Sequence, residues 1–464
     1  MAERASGAPA RARHRLAYAD QLAWELHRVT ARNQLMQCLW LYDRAVDVAE
    51  LERTYARICA TPVNRRIEPS PLPFGRPRWV AGGHGGDEIR VGETVLPRAS
   101  LMAWANAHAR LRSDVVAGPS WHIAVQRFDD GTSAVSVTGS HVIIDGMGFI
   151  RLLEAAVTGA PVASDYLSPG GRSRSEALAA DLRQAAADLP SGAAAAARAA
   201  MAAVQARRAR PKDRGTDGGS PAGRTDARGT ERIVDLPAVI VDVDGASWDA
   251  RARVLGGHPQ GLFPAFTARV AARLGRLHRT DGSAGVVLPV DVRQGLDDDR
   301  ALAIIFAKVA IDPMGAMTDL QPIERSVLAA VREARRQPEM LGTLLPVVPW
   351  LPRRTAMTIL DRLFAYGDER PVTCSNVGTL PDAVGRIDGK PCRRVVGRGV
   401  DTNVTARDLE RTHGHLVIVG SRYGGSVSIA IEGYEPSAGT TTADLVAAAE
   451  GALADLGLPG TIEA

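Results

Sequence analysis

One stretch limits what this chain of 464 residues can fold into. Between Ala206 and Thr230 the sequence is rich in Arg, Asp, Gly, Ser and Pro and carries almost no apolar side chain. A segment of that composition buries too little surface to offset the entropy of ordering it. It reads as a solvated, disordered linker, and it separates two parts that each carry apolar patterning. Length alone allows two or three domain-sized units. The expected division is a first part over 16–170, a partly disordered linker over 171–231 and a second part over 232–464.

Periodicity within the two parts predicts mixed strands and helices. Leu35–Tyr42, Trp121–Phe128 and Ser133–Val142 read as strands, the last two joined by a turn at Asp129-Asp130-Gly131. Val48–Ala60, Ala99–Leu111 and Gly148–Val157 have helical spacing, and Pro69–Pro77 is a proline-punctuated connection. Glu176–Arg210 is Ala-rich and helix-permissive, with a break expected at Pro190-Ser191-Gly192. In the second part, strands are predicted at Ile233–Val243, Val286–Val292, Ala303–Ile311, Val372–Val377, Leu416–Ser421 and Ser426–Glu432. Pro289 demotes its strand to an edge or irregular position. Helices are predicted at Ala246–Val254, Phe263–Leu277, Leu320–Gln337 and Ala443–Leu456. Strands and helices mixed throughout imply α/β layering.

Composition excludes several function classes. The net charge of +4 is mild, and aromatics are only 5%, without basic residues interleaved among them, so no nucleic-acid surface is indicated. Cys38, Cys59, Cys374 and Cys392 lie far apart with no Cys-x-x-Cys pair, which fits neither a zinc site nor a disulfide framework and suits a reducing cytosol. No apolar h-region follows Met1–Gly7 and no run of eighteen apolar residues occurs, so the chain is expected to be cytoplasmic.

Chemistry concentrates in Ser140-His141-Val142-Ile143-Ile144-Asp145-Gly146, at the end of the alternating run Ala134–Gly139. Histidine has the side chain best matched to taking a proton near neutral pH. Asp145 is close enough to shape the turn, and Gly146 removes a side chain where a substrate would approach. Read alone, the three residue types also suit a structural histidine ending a core strand.

Further segments complete a pattern. They are Gly118-Pro119-Ser120-Trp121, Asp130-Gly131, Pro289-Val290-Asp291-Val292-Arg293, Ser375-Asn376-Val377-Gly378, Tyr423-Gly424-Gly425 and Leu456-Gly457. In this order, over roughly residues 20 to 460, the chain resembles the chloramphenicol acetyltransferase-like, CoA-dependent acyltransferase superfamily. That group includes peptide-synthetase condensation domains and wax ester synthase/diacylglycerol acyltransferases. The resemblance implies an α/β fold of two similar halves forming a V with a tunnel at the seam. It implies His141 as general base, Asp145 as a structural carboxylate paired with Arg293, and Gly146 as the residue that keeps the channel open. Ser140, Ser375, Asn376 and Gly378 become tunnel or oxyanion candidates, with a structural part preferred for the late motif. The implied donor is an acyl-CoA or a phosphopantetheine-linked acyl group on a carrier protein, and no permanently bound cofactor or metal is expected. The implied acceptor is a small-molecule alcohol or amine, with a lipid or polyketide-like alcohol preferred. Condensation domains and wax ester synthases usually carry two adjacent histidines in this motif, and here Ser140 replaces the first. An amide-forming enzyme and a catalytically silent binding module are the rival readings.

Other motifs point elsewhere less strongly. His413-Gly414-His415 has no third ligand at a usual spacing and reads as a surface turn. Asp297-Asp298-Asp299 reads as a solvated loop. Gly397-Arg398-Gly399 lacks the last glycine of a dinucleotide loop, and no Gly-x-Ser-x-Gly elbow is present. Leu341–Phe364 is apolar and proline-broken, suited to tunnel lining or core, and to peripheral contact at the inner membrane face if the substrates are lipids.

Overall fold

The computed structural model describes residues 14–82, 89–162, 164–209, 232–296, 298–336, 345–350 and 370–464. The first part runs α1 (Tyr18–Thr30), β1 (Asn33–Tyr42), α2 (Val48–Cys59), β2 (Arg65–Glu68), β3 (Arg78–Ala81), β4 (Arg90–Val91), α3 (Leu101–Ala109), β5 (Trp121–Arg127), β6 (Ser133–Ser140), α4 (Gly146–Thr158) and α5 (Arg174–Ala209). Beyond residue 231 come β7 (Ala238–Asp244), α6 (Gly245–Val254), α7 (Pro259–Arg273), β8 (Ala284–Asp291), β9 (Ile304–Ile311) and α8 (Gln321–Arg336). The chain closes with β10 (Val372–Thr379), β11 (Arg394–Thr402), α9 (Ala406–Arg411), β12 (His415–Tyr423), β13 (Ser426–Tyr434), α10 (Thr442–Asp455) and β14 (Thr461–Glu463).

Helix starts are set by local chemistry. The side chains of Asp47, Asp145 and Asp244 accept backbone N–H groups in the first turns of α2, α4 and α6, and Thr405 and Thr441 form reciprocal capping boxes with Asp408 and Asp444. Gly159, with φ of 71°, ends α4 in the left-handed region that favours glycine.

Among the described residues the strands form two large mixed sheets and one small hairpin. One sheet has the order β11-β1-β6-β5-β4 and the other β14-β7-β13-β12-β10-β8-β9, with β2 and β3 paired apart. The second sheet offers Val241, Val286 and Ile418 to the core it shares with α6, α7, α8 and α10, which contribute Trp248, Phe266, Ile323 and Leu445 in that order. The first sheet packs Trp40, Ile123 and Val137 against Leu51 of α2 and Phe149 and Leu153 of α4. Pro289 lies beyond the short pairing of β8 with β10, which stops at Val287, so its missing N–H interrupts no ladder there.

Three elements differ from the sequence expectations. α5 continues through Pro190-Ser191-Gly192 without the expected break; Gly192 is buried against Trp350, where a Cβ would meet the indole at 2.8 Å. Helix α1 and strand β11 are not among the expected elements, although Tyr18, Leu22, Leu26 and Val29 of α1 recur at helical spacing. β11, with sequence RVVGRGVDT, looks like a loop, yet it pairs antiparallel with β1 from Leu41↔Arg394 to Asn33↔Thr402. Gly397 and Gly399 face β12, where a Cβ would make ordinary contact with Val419 and Val417 at 4.0 and 3.6 Å. The second part of the chain thus supplies an edge strand to the sheet of the first. Expectations for residues 1–13, for 210–231 and for most of Leu341–Phe364 lie outside the described residues.

Trp40 sits at the middle of this arrangement, fully buried, with its indole N–H donating to the Val384 carbonyl at 2.7 Å. Trp40→Phe strands that buried carbonyl and is expected to lower unfolding free energy by about 1–3 kcal/mol in denaturant titration; an unchanged midpoint would show the contact to be dispensable.

Candidate active site

Strand β6 delivers the motif. Its last residue, Ser140, donates its N–H to the Ser120 carbonyl at 3.0 Å, which explains the place of Gly118-Pro119-Ser120-Trp121 in the pattern. The buried Ser140 hydroxyl oxygen accepts from the Val142 N–H at 3.3 Å, and the Ser140 carbonyl accepts from Ile143 at 3.1 Å. Ser140 is therefore a turn former rather than a group free to meet a substrate. His141 is half-buried, and its N–H donates to the Gln34 carbonyl of β1 at 2.9 Å. No described residue hydrogen-bonds to the His141 ring.

Asp145 is fully engaged elsewhere. Oδ1 accepts from the Gly148 N–H at 2.7 Å, capping α4. Oδ2 accepts from Arg293 Nη2 at 2.9 Å, Arg293 Nη1 at 3.3 Å and the Ala303 N–H at 2.9 Å. Both side chains are almost wholly buried. The structure thus brings Asp145 and Arg293 together across the two parts of the chain. A buried pair of this kind repays its desolvation only with further hydrogen bonds, and Arg293 Nη2 also donates to the carbonyls of Arg300 and Ala301. Two further residues were missed at the sequence level. Gly148 leaves room for Arg293, because a Cβ there would lie 2.9 Å from Nη2. Arg151, one turn further along α4, pairs with Asp291 at 2.6 Å, so both charged residues of the Asp291-Val292-Arg293 run reach α4. The Gly146-Met147-Gly148 spacing just after Asp145 carried the signal for Gly148. Gly146 has open space where its side chain would be, with only Met36 Sδ at 3.9 Å.

The segment 299–303 is the strap that ties the parts together. Arg65 of β2, stacked on Trp79 at 3.9 Å, donates to the Asp299 carbonyl at 2.5 Å and to the Ile143 carbonyl within the motif at 2.6 Å. The Asp145 N–H donates to the Ala301 carbonyl at 2.9 Å. Asp20 of α1 accepts from Ala301 and Leu302 at 3.1 and 2.9 Å. Burial pushes the Asp20 carboxyl up to about 6, against the pull of Arg65 and these N–H groups. Neither Asp20 nor Arg65 had a sequence signal, because an isolated charge among polar neighbours reads as solvent-exposed. The expected solvated loop at Asp297–Asp299 is corrected in part: Asp297 lies outside the described residues, while Asp298 pairs with Arg300 at 2.5 Å, which draws its carboxyl down to about 2.

The late motif sits on β10 at a bulge between Asn376 and Gly378, where Gly378 has φ of 79°. Asn376 donates to Gln260 at 2.7 Å and accepts from the Gly378 N–H at 2.9 Å. Val377 packs against the cluster that holds Val142, Ile143 and Ile144. Ser375, Asn376 and Gly378 make no direct contact with His141 among the bonds described, and Asn376 shapes its own bulge.

His413 and Gly414 do form a turn, with φ of 53° and 92°, but His415 opens β12 and is largely buried. It lies 3.2 Å from Glu432 and 3.7 Å from Asp401, a grouping with metal-ligand proximity. Arg32 is already bonded to Asp401, and burial raises the Glu432 carboxyl against the pull of His415 and Arg398. The carboxylates have cationic partners, so the grouping works as a charge network joining the head of β1 to β11, β12 and β13.

No family model and no curated protein matches the sequence. Solved structures do match over nearly the full chain. The first condensation domain of the calcium-dependent antibiotic synthetase, in complex with a substrate analogue, is 15% identical with a TM-score of 0.55, covering 96% of both chains. Polyketide synthase associated protein 5 from Mycobacterium tuberculosis is 15% identical with a TM-score of 0.51, covering 96% of this chain and 97% of that one. A variant of the starter condensation domain of rhizomide synthetase RzmA, in complex with C8-CoA, is 15% identical with a TM-score of 0.51, covering 96% and 94%. The chain has the condensation-domain fold, with its two chloramphenicol acetyltransferase-like halves, as the motifs implied.

Two outcomes test the seam. Asp145→Asn leaves Arg293 buried without its counter-charge and is expected to cost about 3–5 kcal/mol in chemical denaturation; a loss below about 1 kcal/mol would contradict the role given to the pair. For Asp20, the folded pKa of about 6 lies above the ordinary value of 3.8. The folded state therefore binds the extra proton, and its advantage is full below pH 4 and lost as pH rises through 6. Relative to Asp20→Asn, the unmutated protein is expected to lose about 3 kcal/mol between those limits, read from unfolding curves at a series of pH values.

Proposed function

We propose that this protein is an acyltransferase that moves an acyl group from a thioester to an alcohol or amine, with His141 as general base. The observation that carries the reading is the division of labour within the motif. The His141 backbone is pinned to Gln34 while no described residue bonds to its ring, and Asp145 is committed to Gly148, Arg293 and Ala303. The condensation-domain fold supports the same reading, as does the C8-CoA bound to the RzmA starter domain variant.

The reaction runs in four moves. The His141 imidazole takes the proton from the acceptor hydroxyl or amine as its oxygen or nitrogen attacks the thioester carbonyl. The carbonyl pair moves onto oxygen, giving a tetrahedral oxyanion. That intermediate collapses, the C–S bond breaks and the thiolate leaves. The imidazolium returns its proton to the thiolate, which restores the base. Positioning both substrates at one imidazole makes a covalent acyl-enzyme unnecessary. Asp145, Arg293, Gly148 and Arg65 act as positioning residues that hold the turn. Ser375, Asn376 and Gly378 shape the β10 bulge beside the turn's apolar core, a structural part that agrees with Asn376 being bonded to Gln260.

The donor proposed is an acyl-CoA or an acyl group on a carrier-protein phosphopantetheine, and the acceptor a lipid or polyketide-like alcohol. Ser140 in place of a first histidine weakens a specific assignment to peptide-bond condensation. Purified protein given acyl-CoA and a panel of alcohols and amines is expected to release free thiol and an acylated alcohol, identified by mass spectrometry. His141→Ala, folded by circular dichroism, is expected to lose about 10²–10⁴-fold in rate. Unchanged transfer by that variant would overturn the base assignment, and products formed only with amines would overturn the preference for alcohols.

A further inference from the structure

A small cavity lies against the His141 turn. Ile143 and Ile144 of the turn, Met36 of β1, Trp121 of β5, Val137 of β6 and Phe149 of α4 line it. No lining side chain is charged or carries a hydroxyl or amide. A buried water is held through several polar partners, so this lining suits carbon rather than water. The cavity measures about 10 Å³, which is on the order of one water or methyl group.

Its floor is fixed. Trp121 packs on Tyr55 with ring centroids 5.3 Å apart and donates its indole N–H to Asn64 Oδ1 at 3.4 Å. Phe149 donates its backbone N–H to the Asp145 carbonyl at 2.9 Å, within the first turn of α4 that Asp145 caps. The mouth is adaptable. Met36 alone among the lining residues is partly exposed. Its neighbours across β1 are glycines on both sides, Gly139 of β6 and Gly399 of β11, so no cross-strand side chain hems it in. An unbranched thioether fills irregular space and adapts to what it meets. Met36 Sδ lies 3.9 Å from where a Gly146 Cβ would stand, and the Gln34 carbonyl two residues earlier holds the His141 N–H. The outlet of the cavity therefore faces the His141 turn.

We propose that this cavity receives the distal carbons of the transferred acyl group and restricts the donor to short chains, acetyl to butyryl. Its role rests on the acyl-transfer reading and adds the donor class to it. With the thioester carbonyl at His141, a short chain passes Gly146 and Met36 and ends among Trp121, Ile144 and Phe149. An octanoyl chain exceeds the space unless Trp121 or Phe149 moves, and displacing packed core side chains is costly. The test measures kcat/KM for acetyl-, propionyl-, butyryl- and octanoyl-CoA with a single alcohol acceptor, read as thiol release. The octanoyl donor is expected to be about tenfold or more poorer than the best short donor. Phe149→Ala and Met36→Ala enlarge the cavity at its floor and its mouth, and each is expected to raise the octanoyl-to-propionyl ratio about tenfold. That ratio compares two donors on the same preparation, so a loss of folded protein does not move it. Met36 is partly exposed, so its variant decides the matter if Phe149→Ala does not fold. Equal kcat/KM for short and octanoyl donors in the unmutated protein, or an unmoved ratio in the folded variants, would overturn the inference and leave acyl transfer standing. Thiol release from none of the donors would instead overturn the acyl-transfer reading, and the inference with it.

Discussion

The buried pairing of Asp145 with Arg293 is the constraint on which the rest of this structure depends. One partner caps the helix that follows the His141 turn, and the other follows a strand contributed by the opposite part of the chain. Removing either from water is expensive, and the geometry compensates through the further hydrogen bonds that each side chain makes. Ala303 and Gly148 supply the other N–H groups on Asp145, and the carbonyls of Arg300 and Ala301 also accept from Nη2 of Arg293. The same requirement explains Gly148, since any side chain there would displace the guanidinium.

From this pair the order spreads outward. The strap 299–303 is bonded to Asp145, Asp20 and Arg65, three residues from three elements of the first part. Arg65 also holds the Ile143 carbonyl, so the strap and the motif share one buried cation. A turn held in this way leaves the His141 imidazole uncommitted to structure, which is what general-base chemistry at a seam requires. Cooperation between the parts is reinforced by β11, which leaves its own half to pair along nearly the whole of β1.

Much of this was legible in the residues. Alternation marked β5 and β6, helical spacing marked α2, α4 and α8, and the Asp291-Val292-Arg293 and Ser140–Gly146 motifs named the two ends of the seam. What was not legible had no local signal. β11 reads as a loop because its strand character comes from pairing with β1 rather than from its own Gly- and Arg-containing sequence. Asp20 and Arg65 look like ordinary surface charges, and only the fold gives them buried partners. His415 reads with His413 as part of a turn, while its partners Asp401 and Glu432 come from two other strands and share no local motif with it.

The most direct test of the account is a double-mutant cycle on acyl transfer with Asp145→Asn, Arg293→Gln and the combination, at a temperature where all three remain folded. If the pair acts as one unit that aims His141, each single variant lowers kcat and the double variant falls no further than the worse single one. Losses that simply multiply would show the two residues acting independently, and would contradict the claim that their pairing builds the site.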